Sequence, residues 1–181
     1  MNEIKVLIEL LETFKTPQYK ELPDIDLYMD QVLTYIKKHL PPVKEQDKDI
    51  LTGSMINNYV KDDVIKNPKD KKYDKEAIAS LIMVANLKRV LPISDIKQII
   101  SGNHVEGLYQ IYQAQLNNVI KDMVKKDAWS AENESDLTQI ALALAVDAAM
   151  KSYLAHMILS ENQKTPIKEK KKKEPKEPKE K

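Results

Sequence analysis

The residues of this 181-residue chain that could do chemistry fall into three groups: the histidines, a few close carboxylates, and a cluster of amides and lysines between residues 52 and 75. His39, His104 and His156 lie on three different helical segments, with no second histidine or carboxylate at ligand spacing. Metal binding and proton relay both need that second group, so structural roles are expected for all three. Asp24/Asp26, Asp62/Asp63 and Glu132/Glu134/Asp136 fall at helix starts or in polar loops. There a carboxylate meets the positive end of a helix dipole, and helix capping explains it better than a catalytic pair. Asp147 differs by lying inside an apolar stretch, and a solvent-facing or hydrogen-bonded position is expected for it. The chain has no cysteine, which removes a thiolate nucleophile, thiolate metal sites and disulfides. No G-x-S-x-G, P-loop or G-x-G-x-x-G occurs, and three isolated glycines build no phosphate cradle. Neither an enzyme nor a metal or cofactor is expected.

The amide and lysine cluster is different. Ser54, Asn57, Asn58 and Lys61 recur at i, i+3, i+4 and i+7, which puts them on one helix face, with Met55, Ile56, Tyr59 and Val60 on the other. An asparagine can donate to and accept from adenine in the major groove, Ser54 and Thr52 can bond phosphates or bases, and Lys61 adds charge. Residues 66–75, KNPKDKKYDK, follow with Lys66, Lys69, Lys71, Lys72 and Lys75, suited to phosphate contacts that carry no sequence information. Together these ten residues form a candidate surface for double-stranded DNA. The same spacing also describes an ordinary solvated helix face beside a charged turn.

Apolar spacings of three and four recur in every long segment, so the chain should be mainly α. A first helix is expected from Asn2 to about Phe14, and a second from just after Pro23 to Leu40, with Asp24 and Asp26 at its dipole end. Thr52 is placed to cap a short helix ending near Lys61. Asp74 should cap a helix that is apolar nearly all round and therefore central to the core, and Ser94 a fifth, with Gly102 just past its end. Two longer helices, about 104–126 and 136–160, complete the body. Tyr109, Tyr112, Leu116, Val119 and Met123 form a short heptad seam on the first. The second is alanine-rich and apolar over most of its circumference, so burial against something is expected, a second subunit included.

The net charge of +1 conceals a division. Residues 164–181 carry nine lysines and four glutamates, net +5, and read as a disordered tail; residues 1–163 are net −4. Within the body only residues 51–100 are positive, at +3, so a polyanion would be attracted there. The longest apolar run, Ile140 to Met150, is broken by Asp147 and falls short of the ~20 residues that span a bilayer. With no export signal and no cysteine, a soluble cytoplasmic protein without membrane contact is expected.

The stretch from Thr52 to Ile100 resembles the DNA-binding domain of MerR-type transcription regulators, T-x-R-Y-Y-x-x-x-G-L-L-x-P, then R-x-Y, a helix, and G-x-S-L-x-E-I. Tyr59 stands at the second tyrosine, Val64-Ile65 at the paired leucines, Pro68 at the proline, and Lys71 and Tyr73 at the wing arginine and tyrosine. Asn57 and Asn58 depart from the arginine and tyrosine that contact backbone in that group, and Asp63 replaces the turn glycine. More closely, PDIDLYMDQVLTYI, LTGSMINNYVKDDVI and KKYDKEAIASLIMVANLKRVLPISDIKQII are similar to a bacterial family catalogued as a domain of unknown function. The resemblance implies an N-terminal helix and linker (1–22), a winged helix-turn-helix (23–102), a helical dimerisation or effector region (103–163) and the tail (164–181). It implies a homodimeric, DNA-binding transcription regulator. The alternative is a non-enzymatic helical module that has kept the fold, lost DNA binding and docks a protein partner through the heptad seam or the last helix.

Overall fold

A computed structural model describes residues 2–41, 50–125 and 134–164. Among them the protein is mainly helical: α1 (Asn2–Thr13), α2 (Met29–Lys38), α3 (Gly53–Lys61), α4 (Lys75–Leu87), α5 (Ile93–Ile100), α6 (Val105–Lys125) and α7 (Glu134–Lys164). Two short strands, β1 (Leu27–Tyr28) and β2 (Lys72–Tyr73), pair antiparallel with Leu27 opposite Tyr73 and Tyr28 opposite Lys72. The lysine-rich tail lies outside the described residues, except that α7 runs to Lys164.

The all-round apolarity of α4 makes it the central helix. Every residue from Ala77 to Ala85 is buried, and α2, α5, α6 and β2 pack around it. Each fully buried aliphatic side chain there contributes roughly 1.5–3 kcal/mol relative to exposure. The Asp74 carboxylate caps α4 by accepting the Ala77 N–H at 2.8 Å. At the other end of the domain Tyr109 is fully buried, its hydroxyl donating to the Pro17 carbonyl at 3.0 Å. Gln113 Nε2 donates to the Thr16 carbonyl at 2.9 Å, so α6 closes over the segment between α1 and β1. Burial raises the Tyr109 hydroxyl well above the usual tyrosine range and pushes Tyr112 up to about 12.

Three expectations are corrected. The second helix starts at Met29 rather than after Pro23, because Leu27 and Tyr28 are drawn into the pairing with β2, and Asp24 instead meets the Lys75 ammonium at 2.5 Å. Helix α5 is capped at Pro92, and Ser94 lies inside it. Gly102 does follow its end in the left-handed region, φ +79°, as expected. The third correction concerns α7, which the other described residues of its own chain leave largely exposed, so the expected burial would have to come from a second subunit. Its Leu137–Asn162 stretch is also long and apolar enough to cross a membrane by length and composition, contrary to the reading that no segment reaches spanning length. Asp147 is solvent-exposed and pairs with Lys151 one turn on at 2.7 Å, so its charge sits comfortably in an apolar stretch.

Candidate nucleic-acid interface

Helix α3 sorts its residues as their spacing requires. Ile56 and Tyr59 are buried and Met55 and Val60 partly so, while Ser54, Asn57, Asn58 and Lys61 are all exposed on the other side. Thr52 has a fixed job: its hydroxyl accepts the Met55 N–H at 3.2 Å as the N-cap. That leaves four members of the candidate face free along its length. The helix stops in a Schellman turn, with the Asp63 N–H donating to the Val60 carbonyl and the Val64 N–H to the Tyr59 carbonyl. Asp63 takes the left-handed conformation, φ +54°, so it occupies the backbone shape that a glycine would adopt most easily. Val64 and Ile65 turn inward immediately afterwards and are buried. Lys97 Nζ donates to the Asp62 carbonyl at 2.6 Å and lies 3.9 Å from the Asp63 carboxylate, offsetting the negative end of α3.

The lysine segment forms a tight hairpin. Lys69 and Lys72 exchange both backbone hydrogen bonds, at 3.0 and 2.9 Å, around Asp70 and Lys71 with φ of +52° and +62°. Two successive positive φ values at the tip define a type I′ turn, whose twist matches that of paired strands. Its five lysines are not equivalent. Lys66 bridges Asp74 at 3.3 Å and Glu76 at 3.8 Å, and the bond to Asp74 raises its pKa. Lys72 lies over the Tyr28 ring at 5.0 Å, and Lys75 over the Tyr19 ring at 5.4 Å while paired with Asp24. These three hold the hairpin against the body. Lys69 and Lys71 are exposed at its tip, with no ion pair among the described residues.

One element connects the hairpin to α3. Strand β1 pairs with β2 and runs directly into α2, which packs on α3. The structure thus brings the α3 face and the lysine tip onto one frame, and it recruits Thr52, Lys66, Lys72 and Lys75 to build that frame. Lys88 is a neighbour that spacing did not reveal: its ammonium reaches the Met55 sulfur at 3.3 Å, and burial lowers its pKa. No local pattern could have pointed to it, because the contact joins α3 to the end of α4.

Each histidine has a local partner. His39 Nδ1 donates to the Tyr35 carbonyl at 2.8 Å, and His104 Nδ1 accepts the Gly107 N–H at 3.4 Å near the start of α6. His156 Nδ1 meets the buried Asp95 carboxylate at 2.6 Å, a pairing across 61 residues that sequence spacing could not disclose. No cluster of three or more potential metal ligands occurs among the described residues.

Residues 17–115 match the family model described as a domain of unknown function, DUF1836. The chain belongs to the DUF1836 family. The matched segment starts at Pro17 and ends within α6, so both partners of the Tyr109–Pro17 hydrogen bond fall inside the DUF1836 domain. Comparison with curated proteins and with solved structures gives no match.

Proposed function

We propose that this DUF1836 protein is a double-stranded-DNA-binding transcription regulator of MerR-like type, acting as a homodimer. Helix α3 enters the major groove and the β2 hairpin serves as the wing. The observation that carries the reading is the exposed row Ser54, Asn57, Asn58 and Lys61 on α3, which α2 and β1 tie to a hairpin whose tip exposes Lys69 and Lys71. Direct readout falls to the two asparagines, each bidentate adenine contact discriminating by about 1–3 kcal/mol. Lys61, Lys69 and Lys71 supply phosphate contacts that add affinity on any sequence. A dimer reads two related half-sites about one helical turn apart.

The test is selection from a genomic DNA library at physiological salt, with the full chain and with residues 164–181 removed so that the tail cannot retain DNA by charge alone. One enriched motif with two related half-sites supports the reading. Asn57→Ala with Asn58→Ala should flatten sequence preference, whereas Lys69→Ala with Lys71→Ala, which removes about four phosphate contacts from the dimer, should weaken all sequences and reduce the salt slope by about 4. Folded protein that enriches nothing overturns it. That result favours the protein-interaction reading, which draws support from the exposed apolar side chains of α7.

A further inference from the structure

Among the described residues, α7 and the groove between α4, α5 and α6 each present an uncovered apolar surface, and their shapes are opposite. One is convex. On α7, Leu142, Val146, Met150, Tyr153 and Met157 are between 41% and 64% exposed. At about 100° per residue they fall within one stripe less than a quarter-turn wide. The opposite-leaning side of the same helix touches the body: Ser152 donates to the Val90 carbonyl, Ala155 packs on the core and His156 pairs with Asp95. Those docked positions are centred about 130° around the helix from the apolar stripe, so the stripe faces away from its own chain. The other surface is concave. Met83, Leu87, Ile99, Ile111, Tyr112 and Leu116 line a groove of about 370 Å³ between α4, α5 and α6, with hardly any polar atom on its wall.

A lipid bilayer does not fit the convex stripe. Residues 152–156 are engaged with Val90 and Asp95 on the folded body and cannot enter hydrocarbon at the same time. The stretch before these contacts, residues 137–150, would extend about 21 Å, short of the ~30 Å core of a bilayer. A second copy of this chain fits both surfaces. The stripe presents on the order of 600 Å² of exposed side chain, and the groove rim at Ile111 and Val119 roughly 200 Å² more, together near the ~800 Å² that each partner of a stable complex buries. Pairing α7 with α7 would cover the stripes and leave the grooves open; seating each stripe in the other chain's groove covers all four surfaces under one two-fold axis.

We infer that two copies associate reciprocally, the Leu142–Val146–Met150–Tyr153–Met157 stripe of each α7 lying in the α4–α5–α6 groove of the other. This deepens the dimeric part of the function proposed above and does not require DNA. The chain lacks cysteine, so single thiols can be introduced cleanly. Full-length Met150→Cys protein is mixed with full-length Ile111→Cys protein and treated with a short bismaleimide. The mixture should give at least tenfold more cross-linked dimer than either protein alone. In sedimentation equilibrium the wild-type chain should be dimeric, and Met150→Asp or Ile111→Asp should each weaken the dimer about 100-fold by burying an unpaired charge. Both positions are exposed, so thermal unfolding of the dilute monomer should be unchanged. A wild-type monomer at tens of micromolar overturns the proposal. So does cross-linking of Met150→Cys to itself, or binding of α7 to phosphatidylcholine–phosphatidylglycerol vesicles that Met150→Asp abolishes. A dimer of this kind that binds no DNA removes only the regulatory reading, and a monomer that selects a DNA motif removes only this one.

Discussion

At the scale of single residues, the tyrosines at the edge of the core set how the protein responds to base. The Tyr112 hydroxyl, pushed up to about 12 by burial and accepting from Asn86 Nδ2 at 3.1 Å, stays neutral in the fold well after an unfolded tyrosine has ionised. Its folded pKa lies above the unfolded one, so the unfolded state loses its proton first. The stability it contributes is complete below pH ~10 and is lost as pH rises toward 12. Tyr109 shifts in the same direction. Absorbance titration at 295 nm should therefore show six of the eight tyrosines ionising late, Tyr109 and Tyr112 latest of all, and Tyr112→Phe should shrink that last fraction. Tyr109→Phe should cost about 1–2 kcal/mol by leaving the buried Pro17 carbonyl without its donor, read as a lower midpoint in urea. The lysines were legible as a group but not individually. Spacing shows five cations near a turn, yet only the fold separates Lys69 and Lys71 from Lys66, held by Asp74 and Glu76, and from Lys72 and Lys75, whose partners Tyr28, Tyr19 and Asp24 lie more than forty residues earlier.

At the scale of elements, the type I′ hairpin makes folding and binding separable. Lys71 sits at φ +62°, where a side chain is strained and glycine is not. Lys71→Gly should thus stabilise the protein by about 0.5–1 kcal/mol, the ~1–2 kcal/mol left-handed penalty less the entropy lost by glycine, and on the function proposed above it should weaken DNA binding. Higher thermal stability with undiminished DNA affinity would show that the wing tip touches no phosphate. Helix α4 was readable from sequence because residues apolar on every side have only one place to go. Its Asp74 cap and the Thr52 cap of α3 were readable too, since N-capping depends on residues only three positions away. Strand β1 was not, because its two residues owe their conformation to Tyr73 and Lys72 more than forty positions later. For α7, alanine-rich apolarity signalled burial but carried no information on what the burying surface would be.

At the scale of the whole molecule, the contact between Asp95 and His156 decides how α7 is held. Asp95 is almost completely buried and His156 half-exposed, so the pair fastens the last helix to the first turn of α5, with Ser152 on the Val90 carbonyl and Ala155 against the core beside it. His156→Ala should leave the DUF1836 domain folded while amide exchange in residues 152–160 accelerates by at least tenfold; unchanged protection there would mean that Ser152 and Ala155 suffice. The bond between Tyr109 and Pro17 joins positions 92 residues apart, and it has a further consequence during synthesis. A ribosome adding about 5–20 residues each second needs roughly 5–20 s to travel from one partner to the other. In the last part of that interval, after α4 is made and before α6 follows, the aliphatic side chains of α4 lack the wall that α6 provides. The domain can close only once α6 is out, so the last step of its folding waits for residues beyond Tyr109.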